Sequence, residues 1–115
     1  MPFQQRDLLL LPVPFSDLTA RKIRPVVVLS NDHYNRSDAD ILVAGVTSNL
    51  APRPFTVEMD SGDLEYGTLK LRSAVRVDKI FSIDQRIVLK QFARANKELF
   101  MRIRQQIDAL IAEVS

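Results

Sequence analysis

The run Val26-Val27-Val28-Leu29 constrains this chain more than any other feature of its sequence. It is continuously apolar and mostly β-branched, with no alternation between apolar and polar side chains. A strand with one face in water alternates, whereas a strand covered on both faces reads as an unbroken apolar run. Residues 23–29 are therefore expected as a strand at the centre of a sheet. Leu8-Leu9-Leu10-Leu11 reads as a second buried strand. It runs into Pro12-Val13-Pro14-Phe15, where two prolines are expected to forbid regular ladder pairing. Between these strands, residues 16–22 read as a polar, basic loop.

Further along, residues 30–40 are rich in Asn, Asp and Ser and read as a loop. Residues 41–46 form a third buried strand. After the break at Pro52-Arg53-Pro54, residues 55–59 form a strand with Phe55, Val57 and Met59 on one side. Asp60-Ser61-Gly62-Asp63 makes a turn, and a strand pair is expected over 68–71 and 74–83, with a short last strand over 88–92. The period then changes. Leu99, Ile103, Ile107, Leu110 and Val114 recur at three- and four-residue intervals behind Asn96, a suitable N-cap, which predicts an amphipathic helix over 96–113. Five or six short strands and a terminal helix predict a mainly β (α+β) chain, a small curved sheet or barrel with one helix packed on it.

At 115 residues the chain is expected to be a single domain, residues 1–115, with one core. A net charge of +2 permits a polyanionic partner without demanding one. The absence of cysteine excludes disulfides and thiolate-zinc sites and fits a reducing cytoplasm. The apolar run at 8–11 is far too short for a signal-peptide core or a membrane span, so a cytoplasmic location without membrane contact is expected. The acidic residues Asp38, Asp40, Asp60 and Asp63 have no ligand-like spacing, and neither a metal nor a cofactor is expected.

Several residues stand where their position invites chemistry. Pro25 holds Arg24 extended at the mouth of the apolar strand, where its planar fork suits a phosphate; it also reads as an ordinary surface arginine. Thr47 and Ser48 emerge where the strand 41–46 leaves the core, as turn formers or as active hydroxyls. Arg76 and Asp78, two apart on a strand, leave the same face while Val75 and Val77 point to the core. Such a pair is either a surface ion pair or a catalytic one. His33, the sole histidine, sits in a polar stretch and reads as solvated, so no paired-histidine mechanism exists within one chain.

Three stretches in order carry a resemblance: Pro14-Phe15-Ser16-Asp17-Leu18 followed by Arg24-Pro25-Val26-Val27-Val28-Leu29-Ser30-Asn31-Asp32; Val43-Ala44-Gly45-Val46-Thr47-Ser48; and Ser73-Ala74-Val75-Arg76-Val77-Asp78-Lys79-Ile80-Phe81-Ser82-Ile83-Asp84. Together they resemble the MazF/PemK (Kid-like) toxins of type II toxin–antitoxin systems, over about residues 6–112. The resemblance implies an SH3-like barrel with a C-terminal helix and a homodimer with an RNA groove across its interface. It also implies a cognate antitoxin whose acidic disordered tail fills that groove, with operator DNA contacted only through the antitoxin. The implied activity is a sequence-preferring endoribonuclease, cutting single-stranded RNA to 2′,3′-cyclic phosphate and 5′-hydroxyl ends. Arg24, Thr47, Arg76 and Asp78 match the family's catalytic positions, and Ser73 matches a position near the groove. In the Kid-like branch the Arg-x-Asp carboxylate serves as base and the arginine as acid or stabiliser. An arginine is a poor acid, its pKa lying above ~12, so charge stabilisation is the better role for at least one of Arg24 and Arg76. Phe15, Ser16, Asp17, Arg21 and Lys22 read either as an ordinary mobile loop or as an RNA-binding one, an aromatic with basic neighbours, and Ser48 joins the expected RNA-binding set.

The chain departs from the family in opening with Arg6-Asp7, where a Gly-Asp or Gly-Glu pair is usual, and its segment from Ala20 to Ile23 is shorter and more basic, which implies a different RNA preference. Two other readings share the barrel. One is a non-enzymatic gyrase inhibitor like CcdB, which needs none of Arg24, Thr47, Arg76 and Asp78. The other is a degenerate member that only binds antitoxin or RNA.

Overall fold

The computed structural model describes residues 2–14 and 21–114. Seven strands form one antiparallel sheet: β1 (Asp7–Pro14), β2 (Arg21–Val28), β3 (Asp40–Thr47), β4 (Thr56–Met59), β5 (Leu64–Gly67), β6 (Ser73–Asp84) and β7 (Lys90–Ala95). A short helix, α1 (Asp32–Ser37), joins β2 to β3, and α2 (Lys97–Ile111) follows β7. The sheet order is β4-β6-β3-β2-β1-β7-β5, which puts β2 in the middle.

The unbroken apolar run of β2 is explained by this position. Val27 and Leu29 join a cluster with Leu8, Ala44, Val75 and Leu99, while Val26 and Val28 join a second cluster with Leu9, Leu11, Ile41 and Val43. Alternate side chains thus feed apolar layers on opposite faces of the sheet, each buried aliphatic contributing roughly 1.5–3 kcal/mol. The first cluster also draws Val57 and Met59 from the edge strand β4 and Ala93 and Ala95 from β7 near the other edge. One core can take both only if the sheet curls, which makes the half-barrel of an SH3-like fold. Leu99, Phe100 and Ile103 of α2 close it. Asn96 caps α2, its side chain accepting from Leu99 N–H at 2.8 Å, as the sequence predicts. The helical stripe is buried at Leu99 and Ile103, whereas Leu110 and Val114 are exposed.

Several elements differ from the sequence expectation. The strand β1 runs through both prolines, with Pro12 opposite Ile23 and Pro14 opposite Arg21. Leu10 pairs with Pro25, which has no N–H to give, so the polar groups of that pair face away from each other. Pro12 and Pro14 inherit this orientation by the two-residue period and aim their missing donors away from β2. The outward carbonyl of Leu10 accepts from Leu89 N–H at 2.9 Å instead. Arg21 and Lys22 belong to β2 rather than to a loop. Residues 30–40 contain α1, because Asn31 acts as its N-cap and accepts from Tyr34 N–H at 2.8 Å. The strand expected at 68–71 lies at 64–67, a short edge strand with only Leu64 turned to the core cluster. The last strand is shifted from 88–92 to 90–95 because its buried side chains, Ala93 and Ala95, are small and carry little apolar signal.

At the amino end, Arg6 takes a φ of 78°, the left-handed conformation that glycine adopts without cost. Its Nη1 donates to the Ala95 carbonyl at 2.7 Å, which offsets the strain. Asp7, 3% exposed, accepts from Arg94 Nε at 2.8 Å and from Gln4 N–H at 2.9 Å.

Candidate active site

Two local irregularities open a cleft in the sheet. The first is Pro25, whose amide side turns toward β3 with no donor; the β2–β3 ladder registers only from Val26–Gly45 to Val28–Val43. The second is in β6. Its pairing with β3 jumps from Ala44–Ile80 to Gly45–Arg76, leaving Val77, Asp78 and Lys79 without partners on β3. Val77 stays anchored, its N–H donating to the Phe55 carbonyl at 3.0 Å and its side chain fully buried. The strands therefore part at one end of β2, and a cleft of about 570 Å³ lies there. Its polar lining is Arg24, Thr47, Arg76, Asp78 and Lys79, over a floor that includes Pro25, Val26 and Phe81.

Arg76 and Asp78 face each other in a two-pronged ion pair, Nε to Oδ1 at 2.8 Å and Nη2 to Oδ2 at 2.7 Å. Their side chains are 17% and 34% exposed, so the pair is partly withdrawn from water. The hydrogen bonds from Arg76 hold the Asp78 carboxyl below its ordinary range, and the same bonds raise Arg76. Asp78 is thus a carboxylate at neutral pH. Arg76 keeps the rest of its fork for a ligand. Thr47 accepts from Asn49 N–H at 3.0 Å through Oγ1, which makes it a turn former and leaves its hydroxyl proton to donate.

The cleft brings together Arg24, Thr47, Arg76 and Asp78, which are far apart in sequence. It does not include every residue singled out from the sequence. Ser48 is exposed outside the lining, and Lys22 is exposed on β2, two positions before Arg24. Ser73 is buried at the start of β6, where its hydroxyl donates to the Leu71 carbonyl at 3.0 Å. Phe15, Ser16 and Asp17 lie outside the described residues, and Arg21 enters only as the first position of β2. His33 is exposed on α1, away from the lining. The sequence reading missed Lys79 and Phe81. Strand alternation would put Lys79 on the face opposite Asp78, and no local signal announces the bulge that brings both to one cleft.

Among the described residues, no group of three or more His, Asp or Glu side chains is arranged to hold a metal ion. Asp60 and Asp63 instead cap the turn between β4 and β5, each side chain accepting from the other's end of that turn. Among the described residues, no helix is long and apolar enough to cross a membrane.

No curated protein matches the chain in sequence. Solved structures do match its fold. The MazE–MazF complex of Deinococcus radiodurans aligns with a TM-score of 0.80 at 23% identity, covering 99% of this chain and 100% of that one. A mycobacterial endoribonuclease in complex with its cognate antitoxin aligns with a TM-score of 0.79 at 17% identity, over 98% and 99%. The Mycobacterium tuberculosis toxin MazF-mt6 aligns with a TM-score of 0.72 at 17% identity, over 93% and 99%. A family model covers residues 4–111, and by that match the chain belongs to the PemK-like, MazF-like toxins of type II toxin–antitoxin systems.

Proposed function

We propose that this chain is an endoribonuclease toxin that cleaves single-stranded RNA through its own side chains. The observation that carries this reading is the convergence of Arg24, Thr47, Arg76 and Asp78 on one cleft. RNA cleavage needs a base for the 2′-hydroxyl, donors for the phosphate as charge builds, and a splayed nucleotide held for in-line attack. Asp78 is the base. Its tie to Arg76 weakens it at rest, and an arriving phosphate competes for the same guanidinium and loosens that tie. Arg24 and Arg76 hold the non-bridging oxygens, for which their planar forks are shaped. Thr47 donates its hydroxyl proton to the same phosphate. Attack by the 2′-oxygen and loss of the 5′-oxygen leave a 2′,3′-cyclic phosphate and a 5′-hydroxyl.

In the same reading the toxin works as a homodimer with the RNA groove across its interface. Lys22 and Ser48, exposed two residues before Arg24 and one after Thr47, flank the bound strand. An antitoxin with an acidic disordered tail occupies the groove, a partner suited to a lining with three cationic side chains, Arg24, Arg76 and Lys79. Operator DNA is contacted only through that antitoxin, and the setting is the cytoplasm. The test is the chemistry of the products. Fragments of a long RNA cut by the purified protein should be labelled by polynucleotide kinase without prior phosphatase treatment, and Arg24→Ala should produce none. Intact RNA together with trapped gyrase–DNA complexes would overturn the reading in favour of a gyrase poison.

A further inference from the structure

We propose that Lys79 is the general acid of this cleavage, its ammonium giving the proton to the departing 5′-oxygen. The proposal rests on the ribonuclease reading above and goes beyond the four residues matched to the family. The departing oxygen leaves as an alcohol and needs a proton close by. Asp78 is ionised and has none to give. Of the two kinds of cation in the cleft, an ammonium gives up a proton more readily than a delocalised guanidinium, which makes Lys79 the better donor. Thr47 is a weaker acid still, and His33 lies outside the cleft.

The backbone explains how Lys79 comes to share a cleft with Asp78. In an unbroken strand adjacent side chains point to opposite faces. The unpaired stretch Val77, Asp78, Lys79 relaxes that rule, and both residues line the cleft. The Lys79 stem lies against Gly45 of β3: a Cβ built at Gly45 would stand 3.7 Å from the Lys79 Cβ, ordinary packing contact. Lys79 is exposed and makes no salt bridge among the described residues, and its charge acts on Asp78 beside it. Its ammonium is therefore not committed elsewhere, in contrast to Arg76.

The step balances within the cleft. Asp78 takes the 2′-hydroxyl proton as the 2′-oxygen bonds to phosphorus. The bond from phosphorus to the 5′-oxygen breaks, its electron pair stays on that oxygen, and Lys79 protonates it. Exchange with water returns the proton from Asp78 and restores the Lys79 ammonium. No oxidant, reductant or co-reactant is consumed.

A substrate with sulfur in place of the bridging 5′-oxygen separates this role from simple charge stabilisation. A thiolate leaves without a proton, its conjugate thiol having a pKa near ~8.5. Under single-turnover conditions, Lys79→Ala should slow cleavage of ordinary RNA by ~10²–10⁴-fold, the usual contribution of a general acid. On the sulfur-bridged RNA the same variant should lie within about tenfold of the parent protein. Lys79→Arg, which keeps the charge but is the poorer acid, should follow Lys79→Ala. An equal slowing on both substrates, full activity of Lys79→Arg on ordinary RNA, or no effect of Lys79→Ala would each overturn the proposal. Failure of the parent protein to cut either RNA would overturn the ribonuclease reading itself, and with it this assignment.

Discussion

Asp78→Asn separates the structural weight of the Arg76–Asp78 pair from its catalytic weight. The asparagine keeps the shape and one oxygen able to accept from Arg76, and loses the charge and the basicity. The pair is two-pronged but partly open to water, with side chains 17% and 34% exposed. Ion pairs of that exposure contribute under ~1 kcal/mol after screening. The variant should therefore fold, with a melting temperature lowered by no more than about 4–8 °C for a domain of this size. The kinetic cost is of another order. Removing a general base costs ~10²–10⁴ in rate, which is about 2.7–5.4 kcal/mol at 1.36 kcal/mol per decade. Circular dichroism melts and single-turnover cleavage of one defined RNA, on the same preparation, measure both. A rate within tenfold of the parent would refute the assignment of Asp78 as base. A melting temperature depressed by 15 °C or more, about two to four times the expected shift, would show the pair to be mainly structural.

Other perturbations test the fold. Arg6→Gly and Arg6→Ala both lose the hydrogen bond to the Ala95 carbonyl, but only glycine relieves the positive φ of 78°. Glycine should be the more stable of the two by roughly 1 kcal/mol in urea denaturation, the reverse of the order expected in a regular strand. Gly67→Ala should lose about 3 kcal/mol, because a left-handed residue there costs roughly 1–2 kcal/mol and overpacking roughly 1–3. The new methyl would stand 2.5 Å from the Ala93 Cβ at a φ of 91°, so hydrogen exchange should show β5 parting from β7. Asp84 is held down to about 2 by hydrogen bonds from the Arg86 side chain and backbone. A carboxyl depressed in the folded state stabilises above its unfolded pKa of ~3.9 and loses that contribution as pH falls further. Asp84→Asn should therefore narrow the drop in melting temperature between pH 5 and pH 2; an unchanged drop would contradict the bond.

The sequence made the centre of this molecule legible and left its irregular parts obscure. Val26, Val27 and Val28 announce a doubly covered strand because continuous apolarity has one main cause in a small sheet. Asn96 and the spacing of Leu99 and Ile103 announce α2 for a similar reason: a cap and a period coincide. The prolines of β1 misled because their effect depends on which way the missing donor points. That is set by the partner Pro25 and not by the prolines themselves. Ala93 and Ala95 hid β7, since small side chains signal burial weakly even when fully enclosed. At the site, Arg76 and Asp78 were legible by the two-residue period and by resemblance, whereas Lys79 obeys neither. Its position follows from a pairing slip against β3, a long-range event that no local pattern records.

The central claim is that the side chains of this cleft cut RNA unaided. The most direct measurement is the initial rate on a long single-stranded RNA with excess EDTA, set beside the rate with added magnesium. The two rates should agree within about threefold, and magnesium should not create activity where EDTA abolished it. Cutting that disappears in EDTA and returns with the metal would contradict the account.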